Sequence, residues 1–128
     1  MLPPRYLVPR SVQRCDGVGP AVSLESLRGK LLAVTLGIDQ VVEHEGLEVA
    51  VWGSEDGIDW GRRPLVVFPQ KSYCGMYATI LNLARNPAVR FLRVRWTMNP
   101  WSKRPVDLLF GFHVSLDEVH SEASAAVA

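Results

Sequence analysis

The chain has 128 residues, 48% of them hydrophobic and 21% charged, with a formal net charge of +1 at pH 7. Such a composition excludes a disordered chain and fits one domain that buries about two-thirds of its unfolded surface. No apolar run reaches the roughly 20 residues that a helix needs to span a bilayer.

Residues 1–20 are rich in Pro and Arg, and Pro3, Pro4 and Pro9 interrupt any long helix. They are expected to form an extended arm, with Tyr6, Leu7 and Val8 apolar enough to dock on this domain or on a neighbour. The start of the chain lacks the uninterrupted apolar core of a signal peptide, so the expected location is cytoplasmic. Cys15 and Cys74 are too few for a disulfide framework and match no metal spacing. Free thiols in a reducing compartment are the simplest reading.

A β-sandwich domain is expected over 21–118. Ala21–Leu24 reads as a short strand. From Lys30 to Ile38, Leu32, Val34, Leu36 and Ile38 share one face, the period of a half-buried strand. The acidic connection Asp39–Gly46 then suggests an antiparallel hairpin with the next strand. In that strand Leu47, Val49 and Val51 alternate with Glu48, Ala50 and Trp52. The alternation stops at Gly53-Ser54-Glu55-Asp56-Gly57, where Asp-Gly suits a tight turn. Ile58 and Trp60 are expected to return to the core.

Leu65–Phe68 reads as a short strand closed by Pro69, and Gly75–Leu83 as a strand that would tolerate one helical turn. In Ala88–Thr97, Leu92, Val94 and Trp96 face inward and Phe91, Arg93 and Arg95 outward. Thr97–Val106 is a Pro-bounded loop. The cleanest strand follows, with Leu108, Phe110, Phe112, Val114 and Leu116 on its inner face. Residues 119–128 read as a flexible tail. The expected fold is therefore an all-β antiparallel sandwich of six to eight strands, of jelly-roll type, with Val34, Val49, Val94 and Phe112 buried in one core.

The segment S-E-D-G-I-D-W (Ser54–Trp60) resembles the S-x-D-G-x-x-W turn of discoidin-like, coagulation factor 5/8 type C, galactose-binding-like β-sandwiches. Small β-sandwich proteins of phage particles have a similar turn. V-R-F-L-R-V (Val89–Val94) resembles the arginine-flanked aromatic strand of the same domains, and Leu108–Leu116 sits where their closing strand does. The resemblance covers about 70 residues and implies a fold that hosts many functions. One of them is carbohydrate binding.

Charge is distributed unevenly: residues 25–60 hold eight acids against Arg28 and Lys30, whereas 61–105 hold nine bases and no acid. Either an anionic partner or acidic and basic strands lying side by side would account for it; the second is the expectation, with Arg90, Arg93 and Arg95 paired to Glu48 and its neighbours. Nucleic-acid binding would want aromatics interleaved with the bases, but Phe91 and Trp96 fall on opposite faces.

Catalytic chemistry is scarce. His44, His113 and His120 have no i,i+4 partner and no nearby Cys, so no metal and no cofactor is expected. No serine sits in a nucleophile elbow, no Gly-rich loop opens a helix, and adjacent surface acids do not make a glycosidase pair. The chain reads as non-enzymatic.

Binding is assigned instead to the loop holding Asn99, Trp101, Lys103 and Arg104, and to Tyr6 and Leu7 of the arm. A Trp between two prolines and beside two bases suits either a protein contact or a sugar platform; it could also cap the open end of the sandwich. Two functions follow: a structural or accessory subunit docked on a larger protein assembly, or a carbohydrate-binding module. The first is preferred, and it implies that deleting residues 1–14 would release the subunit while leaving the fold intact.

Overall fold

The computed structural model describes residues 5–41, 45–100 and 109–119. Nine strands and two single-turn 3-10 helices, Glu25–Leu27 and Leu83–Arg85, make up the regular structure among them. The strands are β1 (Arg5–Gln13), β2 (Gly17–Val18), β3 (Val22–Ser23), β4 (Leu31–Val41), β5 (Glu45–Ser54), β6 (Val66–Lys71), β7 (Gly75–Asn82), β8 (Phe91–Pro100) and β9 (Phe110–Glu118). No described helix is long and apolar enough to cross a membrane.

Two antiparallel sheets face each other. One has the order β1-β9-β4-β7; the other has β2-β8-β5-β6, with β3 also on β8. Since β2 and β3 are two pieces along one edge, the described residues contribute eight strand positions, four to each sheet. Apart from β5 and β6, which are neighbours in one sheet, successive long strands from β4 onward cross between the sheets, the arrangement of a jelly roll.

The inward faces are those the alternation predicts. Val34, Val49, Val94 and Phe112 are all fully buried in one core, together with Leu32, Leu36, Leu47, Leu92 and Phe110. Trp96 meets Phe112 edge-on at 5.5 Å between ring centroids, and its indole N–H donates to the Cys15 carbonyl oxygen at 3.0 Å. This single ring therefore ties the strand to the segment that follows β1.

Four expectations are corrected. First, β4 and β5 are not a hairpin: β4 pairs with β7 and β9, whereas β5 pairs with β6 and β8. Alternation records which face is buried, and it is the same for strands that pair and for strands that face each other across a core.

Second, the arm is a strand of the sandwich. β1 pairs with β9 from Arg5, opposite Leu116, to Gln13, opposite Phe110, and Leu7 and Val8 are buried in the common core. Two register shifts, between Tyr6 and Val8 and between Val8 and Ser11, break its periodicity. Arg10 fastens this edge strand to the sheet through Asp39, with Nε–Oδ2 at 3.1 Å. The guanidinium holds the Asp39 carboxyl below its ordinary range.

Third, two strands outrun their expected ends: β6 continues through Pro69 to Lys71, where proline is tolerated because β6 is an edge strand, and β8 takes in Thr97–Pro100 of the expected loop by pairing with β5. Fourth, Ile58 is 83% exposed, and Trp60 lies on an outer face, as described below. Cys15 and Cys74 are both exposed and unpaired.

Candidate functional site on the outer face of the five-stranded sheet

The β5–β8 register decides what the outer face of the second sheet presents. Glu48 lies opposite Thr97, Ala50 opposite Arg95, Trp52 opposite Arg93 and Gly46 opposite Asn99. Residues directly opposite in an antiparallel pair share a face, so Arg93, Arg95, Thr97 and Asn99 form one outward row beside Glu48, Ala50 and Trp52. Small Ala50 leaves the guanidinium of Arg95 room to lean over the Trp52 ring, 5.5 Å from its centroid.

The turn after β5 supplies a second indole. Ser54 Oγ accepts from the amides of Asp56 and Gly57 at 3.3 and 2.8 Å and donates to Asp56 Oδ1. Asp56 Oδ1 in turn accepts from the amides of Ile58 and Asp59 at 2.8 and 2.9 Å. Gly57 and Gly61 take φ of 80° and 72°, a region that costs glycine nothing. The chain is thereby folded back so that Trp60 lies under Arg93, with the guanidinium carbon 4.4 Å from the ring centroid. The result is two indoles, each covered by a guanidinium. Pairs of this kind contribute about 0.5–1 kcal/mol at exposed sites.

Beside this stack runs a groove of about 550 Å³ with Ala50 in its floor and Asp16, Val18, Glu48, Trp52, Val67 and Arg95 around it. Asp16 is held in place because its Oδ1 accepts from the Met98 amide at 2.7 Å. The Trp52 indole N–H is buried and has no hydrogen-bond partner among the described residues. None of the ion pairs among the described residues involves Glu48, Arg93 or Arg95. The expected Arg–Glu48 pairing is thus replaced by stacking on tryptophan, and neither guanidinium fork has an ion-pair partner among the described residues.

Backbone amides from Asp59 and Ile58, and then the Ser54 hydroxyl, hold the Asp56 carboxyl below its ordinary range. A lowered folded-state value means a contribution present above the unfolded value, about 3.9, and lost as pH falls through the folded one. Thermal midpoints of the native chain and Asp56→Ala should therefore differ at pH 7, and the difference should narrow as pH falls below the unfolded value of about 3.9. A gap that persists in acid would show that the carboxylate does not hold the turn.

The sequence-predicted binding residues do not form one site. Asn99 lies on the outward row of β8, whereas Tyr6 is on the opposite sheet, half exposed and edge-on to His113 at 5.9 Å. Leu7 is fully buried in the core, so no partner reaches it while β1 stays paired. Trp101, Lys103 and Arg104 lie outside the described residues. Trp52, expected on the outer face, and Trp60, expected in the core, were both missed as binding residues. The signal that could have found them is the shared outward parity of Trp52, Arg93 and Arg95, once β5 and β8 are recognised as neighbours.

Among the described residues no group of three or more His, Cys, Asp or Glu side chains could hold a metal ion. His113 packs over the backbone of Gly37.

No protein-family model and no curated protein sequence matches the chain. Solved structures do resemble it. The K3 cleaved adhesin domain of Lys-gingipain from Porphyromonas gingivalis w83 superposes with a TM-score of 0.50 at 14% identity, over 77% of this chain and 61% of that one. A chain of infectious bursal disease virus, Gx strain, superposes with a TM-score of 0.55 at 7% identity, over 90% of this chain and 32% of the viral one. This chain thus spans less than two-thirds of either neighbour's length, and at these identities the likeness concerns the fold. It is a β-sandwich.

Proposed function

We propose that the protein is a non-catalytic β-sandwich interaction module, a structural or accessory subunit that docks on a larger protein assembly through the outer face of its five-stranded sheet. The observation that carries this reading is the pair of indoles at Trp52 and Trp60 under Arg93 and Arg95. Trp and Arg dominate the energetics of protein interfaces, and stacked guanidiniums are already ordered, which lowers the entropy cost of docking. The forks, unpaired among the described residues, suit a partner surface bearing carboxylates. Trp101, Lys103 and Arg104 follow in sequence directly after the outward row that ends at Asn99, and they belong to the same proposal.

Arg93→Ala/Arg95→Ala in a tagged chain expressed in the native host provides the test. Loss of one hot-spot side chain costs about 2 kcal/mol, roughly thirtyfold in affinity. The co-purifying assembly should disappear while the thermal midpoint stays within a few degrees of the native chain. Retention of the assembly by the double variant would overturn the reading.

A second reading, a carbohydrate-binding module of discoidin type, draws on the indole beside the groove and on the Ser54–Trp60 turn. Under it the purified chain binds a glycan array without any protein partner, and Trp52→Ala abolishes that signal.

A further inference from the structure

The two sheets leave four edges, and three of them carry features that block a further strand. β2 and β3 are two residues long each. β6 carries Pro69 and Lys71. β1 carries Arg5, Pro9 and Arg10, and its register with β9 shifts twice. A short strand, a missing donor, a charge and a bulge are the usual protections of an edge.

β7 has none of them. Its eight residues, Gly75–Asn82, hold no charge and no proline, its register with β4 is unbroken, and β4 is its sole strand neighbour among the described residues. The Leu83 amide donates to the Lys30 carbonyl at 3.0 Å. Alternation along an antiparallel ladder then turns the backbone of Leu81, Thr79, Tyr77 and Gly75 toward β4. The N–H and C=O groups of Met76, Ala78 and Ile80 are left at the open edge. These same residues lie on the outer face of the sheet, where Met76 is 68% and Ile80 54% exposed.

We propose that β7 pairs antiparallel with β7 of a second copy of this chain, about a two-fold axis through Ala78, joining two four-stranded sheets into one of eight strands. The occupant is a second copy because the strand is complementary to itself. Residues equidistant from Ala78 become neighbours, so Met76 of one copy packs against Ile80 of the other, and Tyr77 against Thr79. With no charge in the strand, no like-charge pair is created by its own copy. The donors and acceptors left at the edge fall into register at Met76, Ala78 and Ile80, giving about six backbone hydrogen bonds. Moving the axis to Thr79 would instead set Met76 against polar Asn82. This interface is separate from the Trp52–Arg95 face and leaves it open.

Sedimentation velocity on the full chain tests the pairing, with reductant present because Cys15 and Cys74 are exposed. The expected result is a species of twice the 14.2 kDa chain mass that dissociates on dilution. Met76→Lys/Ile80→Lys sets like charges opposite each other and should weaken association at least about tenfold, with the circular dichroism unchanged because both sites are exposed. Met76→Lys/Ile80→Glu sets opposite charges across the same axis and should restore the dimer. A native chain that stays monomeric at every concentration would overturn the proposal, including where a strand of another protein occupies β7. So would a dimer indifferent to the two lysines. Failure of the Lys/Glu variant to recover association would overturn the axis at Ala78.

Discussion

Deleting residues 1–14 is expected to abolish cooperative unfolding of this domain. The cut removes β1, which pairs with β9 along Arg5–Gln13 and contributes Leu7 and Val8 to the core. It also removes Arg10 from Asp39, and it uncovers the ladder edge of β9, an interior strand of its sheet. Truncation of a buried leucine alone costs about 2–5 kcal/mol, against a total stability of about 5–15 kcal/mol for a domain. Losing two such side chains and a strand's hydrogen bonds exhausts most of that margin. Calorimetry on the truncated chain should show no transition, and Leu7→Ala should lower the midpoint of the full chain. A truncated chain melting at the native temperature would mean that β1 is dispensable.

Phe112→Ala is the second large effect, expected at about 3–5 kcal/mol. Phe112 is fully buried, the third residue of β9, between Ser11 of β1 and Ile38 of β4, and its ring supports Trp96 from the opposite sheet. Removing it leaves a cavity that strands from both sheets would have to close. Denaturant unfolding reads the loss directly, and Phe112→Leu should recover part of it. A loss below about 1 kcal/mol would show that the site collapses without penalty.

What the sequence made legible was parity. The inner rows Leu32–Ile38, Leu47–Val51, Leu92–Trp96 and Phe110–Leu116 were readable because one side of each strand meets water and the other does not. Partnership was not readable: β5 and β8 are separated by two other strands, and nothing local says that Trp52 will lie beside Arg93. The Arg row therefore looked like a set of charges in need of carboxylates, although its neighbours are indoles. Near the N-terminus even parity fails, because bulges in β1 bury the adjacent Leu7 and Val8 together. A strand without a period reads as an arm. Trp60 failed for a related reason: the turn hydrogen bonds at Ser54 and Asp56 reverse the chain, so counting on from Val51 no longer predicts the face.

The order of strands in the sheets bears on how the molecule comes into being. In the first sheet β9 is the central partner of both β1 and β4, so Arg5 waits for Leu116 and Val34 for the same residue. In the second, β5 finds β6 early but has only one edge covered until β8 arrives. During synthesis the second sheet cannot be completed before β8 has left the ribosome, nor the first before β9 has. Long loops must then be closed before any of these pairings is rewarded, which places folding in the slow range of about milliseconds to seconds. Throughout that interval the edge of β4 that awaits β9 and the edge of β5 that awaits β8 stay unpaired. The nascent chain should thus depend on chaperone capture far more than the finished domain does.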